Sequence, residues 1–526
     1  MTYFALILFV AVLGTLIWQR LKTLLTYFQQ EEYDNTRYFG AWKAVRLYDL
    51  KASGVVLLGL GVAALGLSED LVLLLLAAGL CAICFQERRY KFKKPLALTE
   101  RAQRILYVSA GLMIIPVLLC LVWWPLAIIA LQMGPVALII ANAALKPMQD
   151  RINQAYVDEA TQKLARLDPV RIGITGSFGK TTVKHILAEV LEASGPVFYS
   201  RGSINTVLGL TRHIRQRLQW GHRYFIAEMG AYGIGSVKRL CDFAQPSYGI
   251  ITAVGDAHTE RFGSVEVIAQ AKSELVYEVC KRGGQVVLNA DVLKFEPFAK
   301  LKSQFPDQIV SVGGDSADIV ISSEWIEFGV WAITLKWKDA RLPDTHFELP
   351  LLGDHNIMNA ALAVSLCLLI DPEIAADIPY FTKSVSQIPH RLQKVETPGA
   401  ALVLDDAYNA NEIGFKSAVA TTSDLARTRG GRAILVTPGL AELGLEHGPV
   451  HERLGHVVNE TCDEVYVVNP DRIPSFTHAL DAKAVKVHEV ASFFEARKQL
   501  APDLKPEDGV LYENDLPDLL EEKRVL

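Results

Sequence analysis

Seven cysteines in 526 residues fall without regular spacing. That excludes a disulfide-stapled fold and suits a reducing compartment. Only Cys81 and Cys84 form C-x-x-C, and they lie inside an apolar run, so they read as packed or lipid-facing residues and not as a redox or metal pair. A basic surplus is also missing. The chain has 53 Lys and Arg against 58 Asp and Glu, a formal net charge of −5, which argues against a nucleic-acid partner. The first apolar run, near residues 2–18, has no small-residue cleavage site behind it and reads as an anchor, not a removed leader. Two connections, Ser68-Glu69-Asp70 and Trp123-Trp124-Pro125, carry no Lys or Arg. What is abundant is apolar sequence: half of the residues are hydrophobic and mean hydropathy is +0.21, with the excess in the first 145 residues. The length suits roughly three or four domains.

Five apolar runs stand near residues 2–18, 52–67, 70–85, 105–122 and 125–141. A full span needs about 20 apolar residues, so the second and third runs read either as short spans or as a re-entrant hairpin. Arg20, Lys22, Arg37, Lys43, Arg46 and Lys51 lie between the first and second runs. Arg88, Arg89, Lys91, Lys93, Lys94, Arg101 and Arg104 lie between the third and fourth. Positive loops stay inside. The expectation is a multi-pass domain over 1–145 in the cytoplasmic membrane, with its N-terminus outside and everything after Lys146 in the cytosol. Trp123 and Trp124 suit an outer interfacial belt. The basic loops read as topology signals or as a site for an anionic lipid or lipid pyrophosphate. The stretch Gln29-Gln30-Glu31-Glu32-Tyr33-Asp34-Asn35 reads as a helix cap and surface or as a substrate contact.

The rest of the chain is organised around Val170-Arg-Ile-Gly-Ile-Thr-Gly-Ser-Phe-Gly-Lys-Thr-Thr-Val183. A β-branched strand (170–175) feeds a glycine turn and a helix from about Lys180 to Ala193. Backbone N–H groups and the helix dipole then converge on an anion, which makes a phosphate cradle. Gly176 and Gly179 let the backbone bend, Lys180 reaches the β/γ-phosphates and the Thr181 hydroxyl ligates Mg²⁺. The general P-loop spacing wants one more glycine at Ile174, which this chain lacks. Residues 146–168 read as a polar linker helix. Strands at Tyr224–Ala227, Tyr248–Val254 and Gln285–Leu288 alternate with helices, implying a mostly parallel sheet, and 318–350 reads as an antiparallel insertion. Beyond Arg391, strands at 401–406, 432–437, 464–468 and 509–512 imply a second, smaller doubly wound domain. Taken singly, Glu228, His258 and Glu260 are strand-end or capping residues; beside a P-loop, they could supply ligands for Mg²⁺ on a nucleotide.

Thr175-Gly-x-x-Gly-Lys-Thr-Thr182, Ser203-Ile-Asn205-Thr206, Glu228-Met-Gly230, Ala257-His258-x-Glu260-x-Phe-Gly-Ser264, Ala271-Lys272-x-Glu274, Gly353-x-His355-Asn356-x-x-Asn359-Ala and Asp405-Asp406-x-Tyr408-Asn409-Ala-Asn411 occur in this order. Together they resemble the Mur ligases, ATP-dependent amide ligases of cell-wall synthesis. The last string is most similar to the MurF-like branch, which adds D-alanyl-D-alanine to the muramyl tripeptide, although Glu412 stands where that branch usually has proline. The resemblance covers about 165–526. It implies an α/β fold, with a Mur-ligase central ATP-binding domain over 169–391 and a Rossmann-like C-terminal domain over 392–526, following the helical transmembrane domain.

The resemblance also implies roles. Gly176, Ser177, Gly179, Lys180, Thr181, Thr182, Asn289, Arg391 and Asp406 would bind ATP, with Asn289 at adenine and Asp406 at the ribose. Thr181, Glu228, His258 and Lys272, the last as a carbamate, would hold Mg²⁺; Lys272 otherwise reads as a helix-surface lysine. Lys180, His258, Lys272 and Arg391 would be catalytic. Asn205, Tyr408, Asn409, Asn411 and Glu442 would face substrate, Glu442 in the loop Thr437-Pro-Gly439-Leu-Ala-Glu442-Leu-Gly444, with His451 beyond. Asn356 also reads as a plain N-cap.

The implied reaction joins a carboxylate to the amine of an amino acid or dipeptide, forming ADP through an acyl phosphate. Soluble MurF carries an N-terminal domain for the uridine nucleotide of its substrate, and here the membrane segment stands in its place. The acceptor is therefore open between a soluble nucleotide-linked precursor, a lipid-linked envelope precursor and a poly-γ-glutamate-type polyamide. A membrane transport ATPase is the reading from another class; it would need a coupling signature, and none is found.

Overall fold

The computed structural model describes residues 2–44, 48–89, 92, 94–255, 262–326, 329–339, 342–395, 397, 399–407, 411–441 and 443–514. The chain divides into two compact units, Met1–Asn153 and Gln154–Asp515.

The first unit is helical. Helices Tyr3–Gln30, Glu69–Arg88 and Glu100–Leu119 are long and apolar enough to cross a membrane by length and composition. Trp124–Gln132 and Gly134–Leu167, bent by 54° at Met133, would together make a fourth crossing. The second apolar run forms only the 15-residue helix Leu50–Ala64, too short for a full crossing. The linker expected over 146–168 is not a separate helix. It continues the one that starts at Gly134, with Pro147 inside it, and the division between the units falls within that helix.

Arg20 is not a loop charge. The first helix runs on to Gln30, and Arg20 is buried between Asp49 (2.8 Å) and Glu87 (2.6 Å), all three side chains less than a tenth exposed. A charge among apolar helices persists only when paired. Asp49 also caps Leu50–Ala64 by accepting the Ala52 N–H, and Gln132 donates to Ser53 Oγ at 2.8 Å. The acidic-aromatic stretch is a cap. Asp34 Oδ1 accepts the N–H groups of Thr36 and Arg37, while Gln29 Nε2 donates to the Tyr33 hydroxyl.

The second unit holds two sheets. The larger contains β1 (Val170–Thr175), β2 (Val197–Tyr199), β3 (Tyr224–Glu228), β4 (Tyr248–Ile251), β5 (Gln285–Asn289), β6 (Ile309–Gly313), β7 (Ile319–Trp325), β8 (Trp331–Trp337) and β9 (Thr345–Leu349), in the order β2-β3-β1-β4-β5-β6-β7-β8-β9. Strands β1 to β7 pair in parallel, and β7-β8-β9 form the antiparallel extension expected over 318–350. Alternation sorts the strand residues to two faces. Ile172 and Ile174 join a core with Val183, Ile186 and Leu187 of helix Lys180–Leu191 and with Leu362 and Leu366 of helix His355–Ile370. Phe225 and Ala227 join the opposite core with Leu240, Leu275 and Val279. Each buried Leu or Ile contributes about 1.5–3 kcal/mol.

The smaller sheet contains β10 (Gln393–Val395), β11 (Leu402–Asp406), β12 (Ala433–Thr437), β13 (Glu464–Val468), β14 (Lys486–Val490) and β15 (Gly509–Glu513), in the order β10-β11-β15-β12-β13-β14. All pairs are parallel except β10–β11. The edge strands β10 and β14 escape sequence reading because one is three residues long and the other has little apolar patterning.

Candidate functional site

Strand order in the larger sheet reverses at β1: β2 and β3 lie on one side, β4 onward on the other. The carboxyl ends at such a point form the crevice where open α/β sheets bind ligands. The loop Gly176–Gly179 turns there and is tied to the chain beyond β4. Ser177 N–H donates to Ala253 O at 2.6 Å, Ser177 Oγ shares bonds with Gly255 at 3.1 Å, and the Thr252 hydroxyl donates to Phe178 O. Gly179 has φ +79°, and a Cβ there would overlap the Asn359 amide. Only glycine meets both conditions without strain. At Gly176 a Cβ would overlap the Thr252 hydroxyl.

Helix Lys180–Leu191 begins at this turn. Lys180 Nζ donates to Gly176 O at 2.7 Å and Ser177 O at 3.1 Å. Burial pushes its ammonium below the usual lysine range, Glu228 opposes the shift, and Arg391 and Lys184 add to it. Thr181 Oγ1 donates to Glu228 Oε2 at 3.1 Å and stands 3.4 Å from Ser203 Oγ. Thr182 is buried in the same turn. Glu228, 1 % exposed at the end of β3, also receives Lys184 Nζ at 2.8 Å. Lys184 is 1 % exposed, and its ammonium is lowered by burial against the pull of Glu228. Asn205 Nδ2 lies 3.5 Å from Glu228 Oε1, and Asn205 Oδ1 accepts the Tyr232 hydroxyl at 2.7 Å. Sequence reading missed Lys184. The signal was there, since Lys180 and Lys184 stand four residues apart and share a helix face.

Lys272, on helix Val265–Lys281, is only 3 % exposed, so its reading as a surface lysine fails. No hydrogen bond or ion pair to its ammonium is found among the described residues, and burial, with Lys180 nearby, pushes it well below the usual lysine range. Glu274 of the same motif is structural: it accepts the N–H of Lys238 at 2.8 Å and that of Gly235. Asn289 closes β5, is 7 % exposed and accepts the Asp291 N–H at 3.0 Å. Asn356 is not an N-cap. Asp354 caps helix His355–Ile370, and Asn356 donates to Leu352 O and accepts from Asn359.

In the smaller sheet, Asp406 closes β11 and accepts the Leu392 N–H at 3.0 Å. Burial raises its carboxyl, while Arg391 and the Leu392 N–H pull it down. Arg391 lies between His390 (φ +58°) and Leu392 (φ +49°), both in the left-handed region that costs non-glycine residues energy. His390 Nδ1 is 2.9 Å from Asp405 Oδ2. Asn411 caps helix Glu412–Thr428 through the Gly414 N–H at 2.9 Å. Glu412 pairs with Arg453 and Lys416, chiefly the Arg453 hydrogen bond, which pulls its carboxyl down to about 2. His451 is fully buried, its Nε2 accepts the Leu440 N–H at 2.9 Å, and burial lowers it to about 4. His258, Glu260, Tyr408, Asn409 and Glu442 lie outside the described residues.

Two families of known sequence match the chain: the Mur ligase middle domain over residues 174–367, and the Mur ligase glutamate ligase domain over 390–512. The UDP-N-acetylmuramoyl-tripeptide--D-alanyl-D-alanine ligase of Mycobacterium tuberculosis is 34% identical over 320 residues, covering 58% of this chain and 60% of that protein. The Synechocystis protein of the same name is 29% identical over 399 residues, 73% of this chain and 81% of its own. The chain thus spans about three fifths of the length of the first of these relatives. Among solved structures, MurF ligase from Thermotoga maritima in complex with ADP superposes with a TM-score of 0.58 at 25% identity, covering 69% of this chain and 80% of that one. Through its middle and C-terminal domains, this chain belongs to the Mur ligase family.

Proposed function

We propose that the protein is an ADP-forming, ATP-dependent amide ligase of the MurF type. It joins a D-alanyl-D-alanine-like dipeptide, or an amino acid, to the carboxylate of an envelope precursor at the cytoplasmic face of the membrane. One observation carries the reading: the strand–glycine turn–helix unit at β1, with Lys180 and Thr181 at the helix start and the buried Glu228 facing them from the end of β3, sits at the reversal point of a sheet whose sequence matches the Mur ligase middle domain.

The residues fit ATP and Mg²⁺. A glycine turn packed too closely against Thr252 and Asn359 to admit a Cβ at Gly176 or Gly179, at a helix N-terminus, suits a phosphate chain. Gly176, Ser177, Gly179, Lys180, Thr181 and Thr182 would line it, Thr181 and Glu228 would hold Mg²⁺ together with His258, and Asn289 and Asp406 would take the adenine and ribose. ATP supplies the phosphoryl group that activates the acceptor carboxylate as an acyl phosphate. Such transfer rests on positioning and charge neutralisation more than on covalent help. Lys180 and Arg391 neutralise charge at the phosphates. Lys272, buried and without a counter-ion among the described residues, is suited to carry a carbamate as a further metal ligand. Asn205, Tyr408, Asn409, Asn411 and Glu442 are the residues assigned to the acceptor and the amine.

The apolar helices of Met1–Asn153 support a membrane location. They also favour a second reading of the acceptor, as a lipid-linked precursor. The test is mass spectrometry of products formed by the detergent-purified full chain from ATP, Mg²⁺ and D-alanyl-D-alanine, with the nucleotide-linked muramyl tripeptide in one arm and a lipid-linked one in the other. Amide product in either arm supports ligation and names the acceptor. ATP consumption independent of any amine would instead indicate a transport-type ATPase.

A further inference from the structure

The smaller sheet buries a carboxyl that the reading above leaves unused. Glu513, the last residue of β15, is completely buried, and neither of its oxygens receives a hydrogen bond from a donor among the described residues. It stands directly opposite Asp406 in the parallel β11–β15 pairing, and the two carboxyls are within hydrogen-bonding reach. Two carboxylates cannot hydrogen-bond to each other; one must carry a proton.

Among the described residues, the surroundings leave little else to stabilise a charge on Glu513. Helix Glu412–Thr428 packs on this side of β15 through Phe415, Ala418 and Val419, in the same core as Leu511. The next strand end, on β12, offers Thr437. Among the described residues, the charged groups facing the pair are Arg391 and Asp405, the latter held by His390. Burial and the facing Asp406 push the Glu513 carboxyl well above the usual carboxylate range.

The pair also reaches the segment His390-Arg391-Leu392 that leads into the smaller sheet. Asp406 accepts the Leu392 N–H, and Leu392 is 2 % exposed, packed in the core of the smaller sheet at a φ of +49°. A left-handed leucine persists only where its surroundings hold it, and this hydrogen bond is one of the holds.

We propose that Glu513 is a positioning residue: it shares one proton with Asp406, and the resulting carboxyl pair clamps the segment His390-Arg391-Leu392 and so aims the Arg391 guanidinium. This rests on the assignment of Arg391 to the phosphates, but the clamp is tested without turnover. Loss of the shared proton at alkaline pH sets two buried negative charges against each other and frees the Leu392 N–H.

The experiment is hydrogen exchange at the Leu392 amide across the neutral to alkaline range, in the detergent-purified full chain and in Glu513→Gln. Glutamine donates its hydrogen bond at every pH, so the variant supplies the base-catalysed reference. The expected result is a wild-type-to-variant ratio that rises roughly tenfold with pH, corresponding to loss of about one hydrogen bond. A carboxylic-acid infrared band present in wild type should vanish in the variant. Glu513→Ala should expose the Leu392 amide at all pH values while the β12 and β13 amides stay protected. A flat ratio, or an unchanged infrared band, overturns the clamp. A ligase inactive for other reasons would leave both readouts as expected, so the two failures are distinguishable.

Discussion

Glu228 and Asp406 occupy equivalent places, each at the carboxyl end of a parallel strand in an α/β sheet, yet their partners differ in sign. Glu228 meets Lys184 at 2.8 Å, both side chains shut away from water. Asp406 meets Glu513, another carboxyl, with Arg391 nearby. The first arrangement fixes a charge where it stands. The second holds a proton, and its balance shifts with pH. The central domain is thus built as a rigid floor and the smaller domain as a clamp on the segment that joins them. The difference lies in which residue each neighbouring element brings to the strand end.

The floor is the more sensitive of the two to mutation. Lys180→Ala should lower ATP turnover by about a hundredfold or more, the usual cost of removing a group that stabilises developing charge; wild-type turnover in the variant would remove the glycine turn from the mechanism. Lys184→Met leaves Glu228 buried without its counter-ion and should cost about 3–5 kcal/mol in denaturant melts. A loss below about 1 kcal/mol would mean that water reaches Glu228, making the pair no stronger than a surface one. Gly179→Ala should cost about 1–3 kcal/mol, because alanine resists the positive φ and must displace Asn359; its nucleotide affinity, followed by titration, should fall in parallel.

On the clamp side, the sign is opposite. The Glu513 carboxyl is raised, so the folded protein holds this proton more tightly than the unfolded chain. Its stabilising effect is complete below the ordinary carboxylate range and is lost as pH rises through the folded value. Glu513→Gln should therefore be the more stable protein in alkaline buffer, by about 1–3 kcal/mol, and lose that advantage on acidification. Equal melts at all pH values would indicate an ordinary glutamate. The smallest effect belongs to Glu412, held by Arg453 and Lys416 at a half-buried site. Glu412→Gln should cost about 0.5–1 kcal/mol at neutral pH. That contribution is present above a normal glutamate value of 4.5 and disappears as pH falls toward about 2.

Much of this was legible in the sequence. The strand before Gly176, the helix after Gly179 and the β-α alternation follow from β-branched runs and glycine punctuation, and the antiparallel strands at 318–350 from their alternation. The partners of the strand-end carboxylates were not legible, because pairing across a sheet joins residues far apart in the chain. Lys184 lies 44 positions from Glu228, and Glu513 sits one residue beyond a strand expected to end at 512. In the helical unit, counting basic residues treated Arg20 as a loop charge. Its burial came from Asp49 and Glu87, two carboxylates that such a count ignores.

The most direct measurement is phosphate release from ATP by the detergent-purified full chain, with Mg²⁺, nucleotide-linked or lipid-linked muramyl tripeptide as acceptor, and D-alanyl-D-alanine as amine. The account predicts release that requires both acceptor and amine and disappears in Lys180→Ala. Release that persists without the amine, or survives in Lys180→Ala, would contradict it.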